Sequence, residues 1–268
     1  TIKERGRLIV GVSADTLLFG ARDAQTGAIE GFDVDMLKAV ALAIFGPQTN
    51  ADGTAKDISS VMEFRVITYA QRLPELINGD VDLVAHTMTI NCLRWKQIAF
   101  SSEYFAAGQR VLVKNGSGFG SIQDLVKAKA TVCAPSGSTN VEELQKADYA
   151  GLDLIQRPDI TDCLVAMQQG KADAASGDDT VLAGFAKQDP TTAVVGPTFT
   201  DEPYGIGVKG DAAHVDLVKF VNAVIEQMRT GNEWTNLYTK WLVPALTKVG
   251  DPIPAPPAAL YGRPEPTS

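Results

Sequence analysis

The first hundred residues alternate between two hydrophobic periods, and this alternation narrows the fold more than any other feature. Arg7-Leu8-Ile9-Val10-Gly11-Val12 reads as a first strand. Met36, Leu37, Val40, Ala41, Ile44 and Phe45 then recur at helical spacing. We expect that helix to open at Gly31-Phe32-Asp33-Val34-Asp35, with Asp33 as N-cap, and to stop at Gly46-Pro47. Val61 to Ile67 returns to strand character, Tyr69 to Ile77 to helix, and Val81 to Ala85 to strand. Strand, helix, strand, helix, strand is the order of a parallel sheet with crossover helices. Between these elements, Ala14 to Gly31 reads as loop with a hairpin or turn at Asp23 to Gly27, and the polar stretch 48–60 with Asp52-Gly53 reads as a surface excursion.

The pattern restarts after Tyr104. Strands are expected over 109–114, 130–134, 152–156, 172–175, 193–195 and 205–208. Helices are expected after Ser121, from Val141, from Thr161, over 181–186, over 215–229 and over 231–241. Trp234, Leu237, Tyr238 and Trp241 share one face of the last helix, the pattern of a packed core stripe. Gly116, Gly118 and Gly120 lack phosphate-loop spacing and read as a plain loop. The chain thus divides into a first lobe, 1–106 plus 204–250, and a second, 107–203. Residues 251–268 hold six prolines and form an extended, polyproline-like tail.

Composition limits the partners. With 268 residues there is room for about two domains. The net charge of −8 argues against nucleic acid or an anionic membrane surface, both of which need a basic footprint. No apolar run is long enough to span a bilayer. The first residue is Thr rather than Met, which we take as a processed or trimmed product, so export stays open. Cys92, Cys133 and Cys163 show no CxxC spacing, which disfavours structural zinc. They fit either one disulfide plus one thiol in an exported protein or three buried reduced thiols.

Two stretches carry candidate chemistry. The strand ending at Ala85 runs into Thr87, Thr89 and Asn91, with Arg94 beyond. Hydroxyls, backbone N–H groups and one guanidinium at the carboxyl end of a strand can hold a small carboxylate. The alternative is a capped helix with Arg94 on a solvated face. Pro135-Ser136-Gly137-Ser138-Thr139-Asn140 is a glycine-bearing turn before a helix. It suits an anion, or it is simply a well-capped helix, with Thr139 and Glu142 at capping-box spacing.

As far as about Leu242 the chain resembles the extracytoplasmic solute-binding proteins of polar amino-acid ABC transporters. The ordered motifs that carry the resemblance are Gly31-Phe32-Asp33-Val34-Asp35, Asn78-Gly79-Asp80-Val81-Asp82, Met88-Thr89-Ile90-Asn91 followed by Arg94, and Phe100-Ser101 with Tyr104. In the second lobe they are Ser136 to Thr139, Gly170 to Ala174, and Asp178. Thr131-Val132-Cys133, Thr161-Asp162-Cys163, Asp178 to Gly184 and Tyr204 to Lys209 are most similar to the glutamate/aspartate-binding subgroup of actinobacterial type.

The resemblance implies an α/β protein of the two-lobed, type II periplasmic-binding-protein fold. Two hinge strands, near 106–110 and 200–205, would let it close on one amino acid. It implies no cofactor and no catalysis. Arg94 would pair the ligand α-carboxylate, joined by backbone N–H groups of Thr89 and of Ser138 or Thr139. Asp178 and the Thr87 carbonyl would hold the α-ammonium, and Phe19 would form an aromatic wall. Tyr69 and Arg72 match side-chain-reading positions, with Arg72 facing a distal carboxylate. Cys133 and Cys163 resemble a bonded pair, leaving Cys92 as a thiol. The implied ligand is L-glutamate or L-aspartate, with glutamine and asparagine not separated. The implied partner is a membrane ABC permease, and the implied location is periplasmic or cell-surface, with a lipid anchor in the full-length precursor.

Departures fall on the side-chain end of the site. Leu18 stands for the family's Pro, Asn91 for its second Thr, and Leu93 for an acidic residue. Ser13 stands where some members carry a basic residue, for which Arg22 could substitute. Gly177 and Pro135 stand where some glutamine binders carry His and Lys. Two rival readings fit the same motifs: a sensor signalling to a membrane protein, and an enzyme resembling cyclohexadienyl dehydratase.

Overall fold

The computed structural model describes residues 1–47, 49–50, 54, 57–246 and 252–259. The expected Asp52-Gly53 turn lies outside them. Two five-stranded sheets organise the chain. The first has the order Met62–Val66, Leu8–Val12, Leu83–Val84, Gly207–Lys209, Ile98–Phe100. Its first three strands are parallel, and Gly207–Lys209 runs antiparallel to both neighbours. The second has the order Asp153–Arg157, Thr131–Pro135, Ala174–Asp178, Gln109–Lys114, Thr192–Val195. It repeats the same plan, three parallel strands and then one antiparallel strand from elsewhere in the chain. Between the sheets, Phe105–Ala107 pairs antiparallel with Glu202–Tyr204. These are the two hinge strands of a two-lobed fold.

The strand Ala174–Asp178 continues three residues beyond the expected end at Ala175, because Ser176, Gly177 and Asp178 pair with Val111, Arg110 and Gln109. A small polar strand end escapes apolar periodicity, and here pairing with an antiparallel neighbour decides it.

The helix Phe32–Phe45 buries Phe32, Val34, Met36, Leu37, Val40 and Ala41 and stops at Gly46, as its spacing predicts. Its cap is Gly31, not Asp33. Gly31 has φ 148°, and a Cβ there would lie 2.1 Å from the Phe19 carbonyl oxygen. With glycine bringing the chain in this close, Asp33 falls inside the first turn and points into the protein. Beneath the hinge strands lies an aromatic cluster. Phe19, Phe32, Tyr104, Phe105, Tyr204, Trp234 and Tyr238 pack with ring centroids 5.2–6.3 Å apart. Trp234 donates its indole N–H to the Tyr104 carbonyl at 2.7 Å, so even the polar edge of the last stripe is satisfied. The expectation that this stripe is core holds.

Beyond the stripe the chain comes up against the second lobe. The short helix Val243–Leu246 packs on the second-lobe helix Asp179–Gln188. There Lys187 donates to the Pro244 carbonyl at 2.5 Å. Pro254, Ala255 and Pro257 then line a groove together with Ala106, Arg110 and Tyr238. Among the described residues no helix is long and apolar enough to cross a membrane.

Cys133, on the strand Thr131–Pro135, is bonded to Cys163, on the helix Ile160–Gln168, with Cα atoms 5.4 Å apart. Cys92 is exposed and outside any disulfide. The bond closes a loop with a sequence separation of 30 residues. Loop closure of that size stabilises the fold by about 3–4 kcal/mol in the chain-entropy model. Urea unfolding with and without reductant, or in a Cys133→Ser/Cys163→Ser variant, should show a loss of that order; coincident curves would mean the bond constrains nothing.

Candidate functional site

The strand Leu83–Val84 ends at the face where the two lobes meet, and the chain there is forced into an unusual course. Thr87 has φ 42°, a left-handed conformation that a β-branched residue rarely adopts. It is held there because its N–H donates to Asp33 Oδ2 at 2.7 Å, and Tyr104 Oη donates to the other carboxylate oxygen at 2.6 Å. This is the work of the inward-pointing Asp33. Burial pushes its carboxyl up to about 6 despite both hydrogen bonds and the charge of Arg72. The strained turn aims successive carbonyls at one side chain. Arg72 Nη1 donates to His86 O at 3.0 Å and Thr87 O at 3.3 Å, and Nε to Tyr69 O at 3.0 Å.

Arg72 is 1% exposed and its guanidinium lies 4.5 Å from the Tyr69 ring centroid. Burial, and then the neighbouring charge of Arg94, lowers its pKa to about 9. Arg94 is 3% exposed, not on a solvated face. It donates to Thr89 O at 2.8 Å, and burial lowers its pKa. Both guanidiniums also reach the second lobe at one atom: Gly137 O accepts from Arg72 Nη2 at 3.1 Å and from Arg94 Nη2 at 3.3 Å. Gly137 has φ 76°, and a Cβ would sit 2.8 Å from Ala70 Cα. Only glycine lets that turn dock so closely. Among the described residues neither arginine has an ion-pair partner within 4.0 Å. A guanidinium carries five N–H donors. Arg72 makes four contacts to carbonyls, whereas Arg94 makes two.

The second lobe brings the complementary charge. Asp178 ends its strand 8% exposed, accepting from Tyr204 Oη at 2.6 Å and Asn140 Nδ2 at 3.4 Å. Burial, and then the Glu202 carboxylate, pushes Asp178 up to about 7. Ser138, not Thr139, caps the helix Thr139–Leu144, accepting from Val141 N at 3.3 Å. Its own N–H turns back to Pro135 O at 3.2 Å. The Thr139 hydroxyl is directed at Glu202 instead, at 2.8 Å, as is that of Thr89 at 2.6 Å.

The structure therefore brings Thr87, Thr89, Arg72, Arg94, Tyr69, Ser138, Thr139 and Asp178 to one interlobe face. Phe19 joins through the aromatic cluster, 5.9 Å from the Tyr204 ring, and is fully buried. Arg22 does not join: it is exposed and donates to Gly27 O of its own hairpin at 2.7 Å. His86 lies behind Tyr69, ring centroids 4.7 Å apart, with Nε2 at 3.1 Å from Ile67 O. Burial lowers its pKa to about 3, so it is neutral. Sequence reasoning missed Glu202, Asn140 and the inward role of Asp33. Glu202 sits between Asp201 and Pro203 with no periodic context; the Tyr204-Gly205 motif two residues on was its one signal.

Residues 8–244 match the model of the bacterial extracellular solute-binding proteins, family 3. The chain is 36% identical over 243 residues to the ABC transporter glutamine-binding protein GlnH of Bacillus subtilis, covering 90% of this chain and 83% of that one. It is 30% identical over 244 residues to the glutamate-binding protein GluB of Corynebacterium glutamicum, covering 88% and 79%. Its structure resembles that of an ancestral amino-acid-binding protein, a precursor of cyclohexadienyl dehydratase, with TM-score 0.77, 30% identity and coverage of 90% and 97%.

Replacing Asp33 with Ala orphans the Thr87 N–H and the Tyr104 hydroxyl together. We expect Asp33→Ala to lower stability by about 2 kcal/mol or more in urea unfolding, with no such loss in Arg22→Ala. The chain belongs to the bacterial extracellular solute-binding proteins of family 3.

Proposed function

We propose that the protein binds a single amino acid between its lobes and delivers it to a membrane ABC permease, and that its preferred ligand is glutamine, with glutamate second. The observation that carries this reading is Arg94: a buried guanidinium with two carbonyl acceptors among the described residues, across from a buried Asp178. An α-carboxylate would take the remaining donors of Arg94, and an α-ammonium would take Asp178 with the Thr87 carbonyl. Backbone N–H groups of Thr89 and Thr139 would complete the carboxylate's shell, with Ser138 shaping the turn. The lobes would be 1–106 with 204–250 and 107–203, opening about the hinge strands.

The choice of amide over acid rests on the far end of the face. Arg72 makes four contacts to carbonyls, which leaves little of its fork for a second carboxylate. Asp159 of the second lobe lies near it, pushed up to about 6 by burial and then by the charges of Asp15 and Asp162. A neutral amide suits that mixture: its carbonyl can accept from Arg72 and its NH₂ can donate to a carboxylate. The relative from Bacillus named for glutamine supports the same choice. The Corynebacterium relative named for glutamate, together with the charge of Arg72, supports glutamate as the second ligand. The extracytoplasmic family supports an exported protein.

The test is titration calorimetry on protein unfolded, dialysed and refolded, against Gln, Glu, Asn and Asp. Glutamine should bind tightest. Tighter glutamate would make Arg72 the partner of a distal carboxylate, and no binding at all, together with turnover of prephenate or arogenate, would replace this reading with the enzyme one. Arg94→Ala should weaken binding by about 2–5 kcal/mol, tens to thousands of fold, because it leaves a buried carboxylate unpaired. The raised Asp178 sets a pH dependence. Below about 7 a proton occupies Asp178 and must leave before the ammonium can pair with it, so affinity should rise with pH through about 7 and then level. Affinity independent of pH between 5.5 and 8 would remove Asp178 from the ammonium role.

A further inference from the structure

Glu202 is a carboxylate in an unusual position. It lies on the second hinge strand, 3% exposed, in neither sheet. Four donors converge on it. Oε2 accepts from Thr89 Oγ1 at 2.6 Å and from Thr139 Oγ1 at 2.8 Å. Oε1 accepts from Gln109 Nε2 at 2.7 Å and from Thr200 Oγ1 at 2.7 Å. An ionised carboxylate accepts on both oxygens and donates nothing, so it can take all four at once.

The origins of the donors matter more than their number. Gln109 and Thr200 flank the hinge itself. Thr89 follows the last parallel strand of the first sheet and bridges to Tyr204. Thr139 opens a helix that packs on the second sheet. The two hydroxyls come to 3.5 Å of each other and share one oxygen. Separating the lobes would carry Thr89 and Thr139 apart, and at most one could stay on Oε2. Each closure therefore exchanges water for a charge-assisted hydrogen bond, the stronger kind. Thr89 and Thr139 are also the residues whose N–H groups would face an α-carboxylate, so the same contact fixes how those groups are presented.

We propose that Glu202 is a latch and a positioning residue: its carboxylate ties Thr89 of one lobe to Thr139 of the other, favouring the closed form and orienting both threonines toward the ligand. Its effect on closure stands independently of which ligand binds, whereas its effect on affinity rests on the amino-acid reading above.

Two measurements separate these parts. Small-angle scattering of unliganded wild type and Glu202→Gln reads closure without any ligand. We expect the variant to have the larger radius of gyration. Calorimetry with glutamine and glutamate should show Glu202→Gln weakened by about ten- to a hundred-fold. Thr139→Val leaves the hinge strand untouched. It should weaken binding in wild type and add little in the Glu202→Gln background, because the bond it removes is already lost. Unchanged scattering and affinity in Glu202→Gln, or an equal effect of Thr139→Val in both backgrounds, would overturn the latch. If wild type binds neither amino acid, the ligand reading fails, and the scattering comparison still decides whether Glu202 holds the lobes together.

Discussion

Two guanidinium groups buried side by side are the constraint on which the rest of this interface depends. Arg72 and Arg94 are almost entirely out of water, and burial, with the neighbouring charge of Arg94 second, lowers the pKa of Arg72. A buried cation must be surrounded by acceptors. Here the acceptors are mainly backbone carbonyls, which carry partial charge without supplying a fixed counter-ion. That explains several features that look unrelated. Thr87 takes a strained conformation so that its carbonyl and that of His86 face Arg72. Asp33 turns inward to hold that strain. Gly137 is glycine so that the opposite lobe can bring one more carbonyl to both arginines.

The acids around this pair are kept at one remove. Asp33 satisfies a turn and a tyrosine, Asp178 a tyrosine and an asparagine, and Glu202 four neutral donors. None closes an ion pair with either arginine. A site organised this way holds separated charges of both signs in a poorly hydrated space, and a small zwitterion supplies the missing pairings in one step. Preorganised separation of this kind is where differential contacts between open and closed forms arise.

Much of this was legible in the sequence, and the illegible part has a common cause. The parallel strands, the long helices and the core face of the last helix follow from periodicity, because burying one face is a local demand. Arg94, Thr89 and Asp178 were legible as members of ordered motifs. Asp33 is expected as a cap, because nothing local says that Gly31 packs so close to the Phe19 carbonyl that no Cβ would fit, and that the helix starts there. Ser138 takes the capping role expected of Thr139 for a similar reason: both can cap, and Glu202, more than sixty residues away, takes the Thr139 hydroxyl. Glu202 itself sits in a strand of three residues, too short for any alternation to show. What sequence pattern conveys is burial; what it withholds is which distant chain supplies the partner.

The course of the C-terminal segment has a mechanical consequence. Two paired strands joining two bodies form a ribbon, which can both bend and twist. The helix Val243–Leu246, held against the second lobe by packing and by Lys187, adds a third attachment beside that ribbon. Relative movement of the lobes must therefore carry this third contact along or break it.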